Sequence, residues 1–309
     1  NPSISFTLST AATSTRLKYA KGKGAIKVFL NDTETPSFMP KIQSFLERTD
    51  NLFPFAQEMD FEVHTSNSFP HSSGIASSAS GMSALALCMM SIKKDLGLSI
   101  DDFFQEASNA SRLGSGSGSR SVYGPLAAWG KHAEIEGSHD EFAVPFVDVA
   151  DVFKTFQDTI LLIDKGEKTV SSSLGHGLMT GHPYASSRFA QAHENQSKLL
   201  TAMLDADLER FGAIVESEAL TLHGMMMTSM PYFILMKPNT LEVINRIWAF
   251  REATKNPVYF TLDAGANVHV LYPESHKEVI MRFIDTELRT FCKDSSYLCD
   301  HVGSGPIQL

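Results

Sequence analysis

Cysteine is scarce in this chain. Cys88, Cys292 and Cys299 are the only three in 309 residues, and no pair has CxxC spacing. That count argues against a disulfide framework and a thiolate zinc site, and a reducing, cytoplasmic setting fits. Positive charge is also short: 26 Lys and Arg stand against 35 Asp and Glu, a net charge of −9. That balance argues against non-specific binding to nucleic acid or to a membrane surface. No apolar run approaches the ~20 residues that a bilayer-spanning helix needs. No signal peptide opens the chain. It begins Asn1-Pro2-Ser3-Ile4-Ser5, already in strand-like alternation, and reads as though sequence precedes it. Familiar catalytic signatures are missing too. There is no Walker lysine, no GxGxxG turn and no HExxH, and no Gly-x-Ser-x-Gly elbow follows a strand. No internal repeat appears.

What remains is an ordinary globular composition, 43% hydrophobic and 20% charged, long enough for two modest domains. Ile4, Phe6 and Leu8 alternate with hydroxyl residues and predict a strand; 26–30 and 61–65 predict two more. Met82, Leu85, Met89, Ile92 and Leu96 recur at helical spacing and predict a buried helix that also covers Cys88. Ser99 is a candidate cap for a further helix reaching Ser111. A second strand-rich pattern starts at Ile160–Ile163. Residues 185–228 are mainly helical, and Asn239-Thr240-Leu241-Glu242 reads as the N-terminal box of a helix through Ile244, Ile247 and Trp248. Strands over 258–262 and 268–272 flank the turn Asp263-Ala264-Gly265-Ala266-Asn267. Strands and helices in both halves predict an α+β fold of two lobes.

Three loops concentrate small and hydroxyl residues. Pro70-His71-Ser72-Ser73-Gly74-Ile75-Ala76-Ser77-Ser78-Ala79-Ser80-Gly81 leads straight into a helix. Free backbone N–H groups at a helix start suit an anion, here the phosphate tail of a nucleotide. Gly114-Ser115-Gly116-Ser117-Gly118-Ser119-Arg120-Ser121 has a linker's composition. It is short, however, and runs into Val122-Tyr123 and the Leu126–Trp129 stretch, which favours an ordered binding loop. Within it, Arg120 offers a planar fork of donors for a carboxylate or phosphate; the competing reading is a structural ion pair. Ser171-Ser172-Ser173 forms the third cluster. Asp263 fits equally an acid that caps its own turn and a carboxylate directed at a ligand. His176, His182, His193 and His223 read as surface or satisfied core histidines.

Taken in order, these segments resemble a known family. Asn67 through Gly81 resembles the phosphate loop of the GHMP kinase superfamily in the form found in diphosphomevalonate decarboxylases. The 114–121 loop with Trp129 is similar to that family's GSGSxxRS…W signature, and 263–267 resembles its DAGPN turn. Asn1–Ser5 and Val302-Gly303-Ser304-Gly305-Pro306 also have counterparts, so the likeness spans nearly the whole chain.

The resemblance implies a two-lobed GHMP-kinase-like fold, with a ribosomal protein S5 domain 2-like N-terminal lobe (1–155) and an α/β sandwich C-terminal lobe (156–309). The active site would lie in the cleft between them. It implies ATP-dependent decarboxylation of mevalonate 5-diphosphate in isoprenoid biosynthesis. The cofactors would be ATP and Mg2+, the protein a cytoplasmic homodimer.

By position, Ser73, Gly74, Ala76, Ser77, Ser78 and Ser80 would face the ATP phosphates, with Ser78 as metal ligand. Ser115, Ser117, Ser172 and Ser173 would bind substrate, Arg120 would grip the departing carboxylate, and Asp263 would face the C3 hydroxyl. Four departures stand out. The family's Lys-Tyr-Trp-Gly-Lys-like segment, which lies before the equivalent of Asn1, is not in this sequence. Pro125 follows Gly124 where Gly-Gly is usual. Ala266 replaces Pro, and Ile75 replaces Leu. In addition, Ser173 stands where some members carry Arg. On the same scaffold the alternatives are a phosphomevalonate decarboxylase, a mevalonate 3-kinase, or a non-catalytic nucleotide-binding paralogue.

Overall fold

The chain opens with strands β1 (Ser3–Phe6), β2 (Thr13–Lys21), β3 (Ile26–Leu30) and the two-residue β4 (Thr33–Glu34). Helix α1 (Met39–Arg48) and strand β5 (Met59–Asn67) follow. This computed structural model describes residues 1–69, 77–164, 175 and 177–309. β5 is central in a four-stranded sheet of order β2-β5-β3-β4. It pairs antiparallel with β2, Val63 opposite Leu17, and parallel with β3, Val63 opposite Val28. A parallel pair needs a crossover connection, and α1 lies within it. Ile42 and Phe45 of α1 are buried in the same core as Phe61 and Val63 of β5.

Helix α2 (Ser77–Asp95) adds Met82, Leu85, Ala86, Met89 and Met90 to that core, and helix α3 (Phe103–Gly114) adds Ala107 and Ala110. Phe45, Phe53 and Met89 are essentially inaccessible. Each such side chain contributes ~1.5–3 kcal/mol through apolar burial. Cys88 departs from expectation: it is half-buried on α2, with its thiol 3.5 Å from the Thr15 carbonyl oxygen. The cap of α3 is Asp102, not Ser99. Asp102 has extended backbone angles, and its carboxylate accepts the Gln105 N–H at 2.9 Å. An acid next to the first turn also complements the helix dipole.

A 3-10 turn, Gly116–Val122, leads into β6 (Leu126–Trp129) and β7 (Ala143–Pro145). These form a three-stranded sheet of order β1-β6-β7, with Ser3 opposite Trp129. The expected strand through Leu8 ends at Phe6, and Leu8 makes only an isolated bridge.

The second sheet system is built from β8 (Gln157–Leu161), β9 (Tyr259–Leu262), β10 (Val268–Tyr272) and β11 (Tyr297–His301). Its order is β11-β8-β10-β9, all neighbours antiparallel. The helices of this half are α4 (Ala185–Leu204), α5 (Leu208–Met227), α6 (Pro238–Thr254) and α7 (Lys277–Phe283). One sheet face buries Leu161, Phe260, Leu262, Val268, Val270 and Tyr272 against Val243, Ile244 and Ile247 of α6 and Ile280 and Phe283 of α7. By the two-residue pleat, Asp158, Ile160, Tyr259, Thr261, His269, Leu271, Leu298 and Asp300 share the opposite face. α5 meets β9 on that side, the Phe211 and Tyr259 rings lying 6.2 Å apart.

β8 begins three residues before the expected Ile160. Gln157, Asp158 and Thr159 are polar yet buried, because each finds a partner: the Thr155 carbonyl, His269 and the Tyr272 hydroxyl. α6 starts at Pro238, one residue ahead of the expected box. Proline is preorganised for a first helical position, and Thr240 Oγ1 accepts the Lys237 N–H at 3.1 Å.

The described residues fall into two compact units, 3–69, 77–146 and 303–309 in one, and 1–2, 147–164, 175 and 177–302 in the other. The division follows Phe146, ahead of the 155/156 boundary drawn from the sequence. Phe153 packs on Phe211 with centroids 4.8 Å apart, which ties the 147–155 stretch to α5. The chain's last residues return to the first unit, where Gly303 N–H donates to the Thr7 carbonyl at 2.8 Å. Among the described residues no helix is long and apolar enough to cross a membrane.

Candidate active site

In the first unit the N-terminus of α2 and the 3-10 turn converge. Ser77 and Ser78 open α2, and Ser78 is exposed. Ser78 Oγ donates to Ser115 Oγ at 3.1 Å and accepts from Lys41 Nζ at 2.5 Å. The sequence reading missed Lys41. It follows Pro40 in the first turn of α1, and only the pairing of β3 with β5 brings α1 beside the start of α2. Two hydroxyls, an ammonium and a helix N-terminus make a setting for an anionic group. Ser80 points elsewhere, its Oγ lying 2.7 Å from Thr13 Oγ1 on β2. Ser73, Gly74 and Ala76 lie outside the described residues, as do Ser172, Ser173 and His176.

The 114–121 stretch is ordered. Ser108 Oγ, buried on α3, donates to the Ser119 carbonyl at 2.8 Å and accepts the Ala143 N–H at 2.8 Å. Ser115 and Ser117 therefore sit on a turn tied to both α3 and β7. Arg120 closes this turn. Its Nη1 donates a short hydrogen bond to Ser3 Oγ on β1. Its Nε is fully buried and has no hydrogen-bond partner among the described residues. Burial alone pushes the guanidinium pKa below its ordinary value. The structural ion pair does not materialise among the described residues, since no carboxylate reaches Arg120. A buried guanidinium without a counter-charge is costly, and an anionic partner would remove that cost.

Asp263 belongs to the second unit, at the end of β9. The turn it begins is pinned from several sides. The Asp263 carbonyl accepts from Gly265 N–H at 2.7 Å and from His223 Nε2 at 3.2 Å. Thr240 Oγ1 on α6 donates to the Ala266 carbonyl at 2.7 Å, and Asn267 Oδ1 accepts the Asp164 N–H at 3.0 Å. His223 is buried, and that burial lowers its pKa despite the opposing pull of Asp263. It is a neutral donor that braces the turn. His182 is likewise a satisfied core histidine, bonded to the Met225 carbonyl at 3.2 Å, while His193 is exposed.

Two family models divide the chain between them. The diphosphomevalonate decarboxylase-like N-terminal domain matches residues 1–143, and the mevalonate 5-diphosphate decarboxylase C-terminal domain matches residues 159–304.

The chain belongs to the diphosphomevalonate decarboxylase family.

Relatives within and beside this family agree. The diphosphomevalonate decarboxylase of Eremothecium gossypii is 26% identical over 245 residues, covering 77% of this chain and 59% of its own. The phosphomevalonate decarboxylase of Haloferax volcanii is 25% identical over 236 residues, covering 76% and 68%. Among solved structures, the complex of MDDEF with MVAPP, AMPPCP and magnesium superposes with a TM-score of 0.84 at 27% identity. It covers 99% of this chain and 89% of that one. The chain spans about three fifths of the length of curated relatives such as that of E. gossypii. The α+β, two-lobed architecture is thus that of the diphosphomevalonate decarboxylases.

Arg120 lies in the N-terminal unit and Asp263 in the C-terminal unit. Sequence patterns could not have singled out Ser3 as the partner of Arg120. The two are 117 residues apart and meet only because β1 pairs with β6.

Proposed function

We propose that the chain catalyses ATP-dependent decarboxylation of mevalonate 5-diphosphate to isopentenyl diphosphate, releasing ADP, phosphate and carbon dioxide. The observation that carries this reading is Arg120, a buried cation with no carboxylate counter-charge among the described residues, in a chain whose Asp263 sits on a rigidly braced turn. In this reading the γ-phosphoryl group of ATP passes to the tertiary C3 hydroxyl: the new P–O bond forms as the Pγ–O bond to ADP breaks, and the hydroxyl proton passes to solvent. Asp263 orients that hydroxyl. The C3–O bond then breaks with its electron pair on the departing phosphate, and positive charge develops at C3. The carboxylate of Asp263 faces and stabilises that charge. The C1–C2 bond pair becomes the C2=C3 double bond, and C1 leaves as carbon dioxide. Arg120 fixes the carboxylate's direction beforehand, an orienting contribution. Its charge must not hold that group too tightly, because the anion vanishes in the step.

Ser77, Ser78 and Lys41 line the start of α2 and suit the nucleotide phosphates; Ser115 and Ser117 suit the substrate's own phosphates. The residues fit a resident metal poorly. Ser78 Oγ already accepts from an ammonium, and no group of three His, Cys, Asp or Glu among the described residues could hold a metal ion. Magnesium would instead come with ATP, held chiefly by phosphate oxygens and water. The same reading makes the protein a cytoplasmic homodimer. The scarcity of cysteine, three in 309 residues, is in keeping with that compartment.

A second reading takes the 5-monophosphate as substrate, as the name of the H. volcanii relative suggests. Incubation with each phosphate, measuring ADP and carbon dioxide together, separates the two. Diphosphate turnover with equal yields of both products is expected. ADP without carbon dioxide would make the protein a 3-kinase. Asp263→Asn is expected to abolish carbon dioxide release while ATP binding stays within about twofold, since the change removes charge and not shape. Near-normal turnover in that variant would overturn the assignment.

A further inference from the structure

Ser3 has no part in the reaction as written above, yet the Arg120 guanidinium rests on it. Both residues belong to the first unit. β1 pairs antiparallel with β6, and Ser3 lies opposite Trp129. Ser3 Oγ donates to the Trp129 carbonyl at 3.4 Å and accepts a short hydrogen bond from Arg120 Nη1. A hydroxyl can do both at once, since it has one proton and two lone pairs. The strand pairing thus fixes the acceptor in space. The other end of the arginine is fixed as well. The Ser119 carbonyl accepts from buried Ser108 at 2.8 Å, and the Arg120 carbonyl accepts the Tyr123 N–H at 3.2 Å. A long side chain with much rotamer freedom to lose is therefore held at its backbone and at one terminal nitrogen.

That hold selects an edge of the guanidinium. Nη1 is the terminal nitrogen on the Cδ side. Nε–H and one Nη2–H point together along a different edge, the fork that meets a carboxylate in two parallel hydrogen bonds. Nε is fully buried, and among the described residues neither Nε nor Nη2 has a hydrogen-bond partner. The choice of serine matters too. A carboxylate in its place would neutralise the guanidinium and compete with a ligand. A neutral hydroxyl gives direction and leaves the charge for the ligand. In keeping with this, burial alone shifts the guanidinium pKa, with no neighbouring charge contributing.

We infer that Ser3 is a positioning residue for Arg120: it holds Nη1 against β1, aims the Nε–Nη2 edge at an incoming carboxylate, and leaves the guanidinium charge uncompensated until that carboxylate arrives. The catalytic half of this inference rests on the decarboxylase reading of Arg120; the hold itself does not.

Two measurements test it. The first reads the side-chain nitrogens of Arg120 by NMR in the substrate-free protein, identified by their loss in Arg120→Lys. Held at Nη1, the guanidinium turns slowly about Nε–Cζ, and its two Nη nitrogens give separate signals. Ser3→Ala is expected to merge them, and Ser3→Thr, which keeps the hydroxyl, to leave them apart. Signals merged in the wild type, or still separate in Ser3→Ala, would overturn the hold whatever the activity. The second is the rate of carbon dioxide release from mevalonate 5-diphosphate. Ser3→Ala should lower kcat about tenfold, the scale of a lost orientation effect, with KM for ATP unchanged, and Ser3→Thr should restore it. Ser3→Asp is the sharper variant. Its carboxylate would pair with the buried guanidinium, so unfolding in urea should be no easier than in the wild type. Its kcat should nevertheless fall about a hundredfold, because the fork is misdirected and its charge already spent. Near-normal turnover in Ser3→Asp would mean that the charge need not be left open, and an unmoved kcat in Ser3→Ala would make Ser3 merely structural; either overturns the inference. Absence of any wild-type turnover would sink the decarboxylase reading, and the NMR result would still decide the hold. If Ser3→Asp fails to fold, the contrast between Ser3→Ala and Ser3→Thr decides.

Discussion

At the scale of single residues, Arg120 sets function against stability. Its guanidinium is buried, bonded to Ser3, and without a carboxylate among the described residues. Replacing a buried charge with an apolar side chain of similar length is often neutral or stabilising. Arg120→Met should therefore keep or raise the free energy of unfolding, by up to about 1 kcal/mol, while carbon dioxide release disappears. Arg120→Lys keeps the charge but loses the planar fork; kcat should fall about a hundredfold, with KM for ATP little changed. Urea titration and product assays on the two variants check this. Marked destabilisation of Arg120→Met would show that the arginine is a structural group after all. The arginine stood out as a candidate in the sequence because its glycine and serine neighbours carry no other charge. Ser3 and Lys41 did not, because each gains its meaning from a partner on a distant strand or helix.

At the scale of elements, hydrophobic periodicity located most helices and strands, and it failed where polar residues are buried in pairs. β8 was read late because Gln157, Asp158 and Thr159 look like a loop until His269 and Tyr272 are set beside them. Element ends moved for similar local reasons, Asp102 taking the cap from Ser99 and Pro238 opening α6. The packing of α5 on β9 shows what pattern reading cannot see. A Cβ on Gly212 would lie 1.9 Å from Tyr259 Cδ1, so the helix can approach the ring only with glycine there. At Gly224, on the same helix, a Cβ would meet nothing within 4 Å among the described residues. Gly212→Ala should cost about 1–3 kcal/mol through overpacking, and Gly224→Ala should gain about 0.4–1 kcal/mol by restricting the unfolded chain. Chemical denaturation of both variants reads the contrast. Equal effects would mean that the Tyr259 contact does not limit the approach of α5.

At the scale of the whole molecule, the chain leaves its first unit after Phe146, builds the second, and returns at Gly303. This return was only half visible in the sequence. The Val302–Pro306 motif marked the segment, but nothing in its composition says which lobe it joins. The reason lies in two glycines. Gly305 has φ +95°, and a Cβ there would meet Gly124 N at 2.9 Å; a Cβ on Gly124 would meet Gly305 N at 2.4 Å. With Thr7 Oγ1 donating to the Gly303 carbonyl at 3.2 Å, the terminal strand of chain is clamped beside β1 and β6. Gly305→Val imposes both backbone strain and a clash, about 1–3 kcal/mol, and that cost should appear in one unit alone. Amides of β1, β6 and β7 are expected to exchange with solvent roughly tenfold to a hundredfold faster, while those of β8, β9 and β10 keep their protection. Native-state hydrogen exchange resolves the two sheets separately. Equal loss in both would mean that the two units open as one cooperative body, and that the C-terminal segment is not a fastening peculiar to the first.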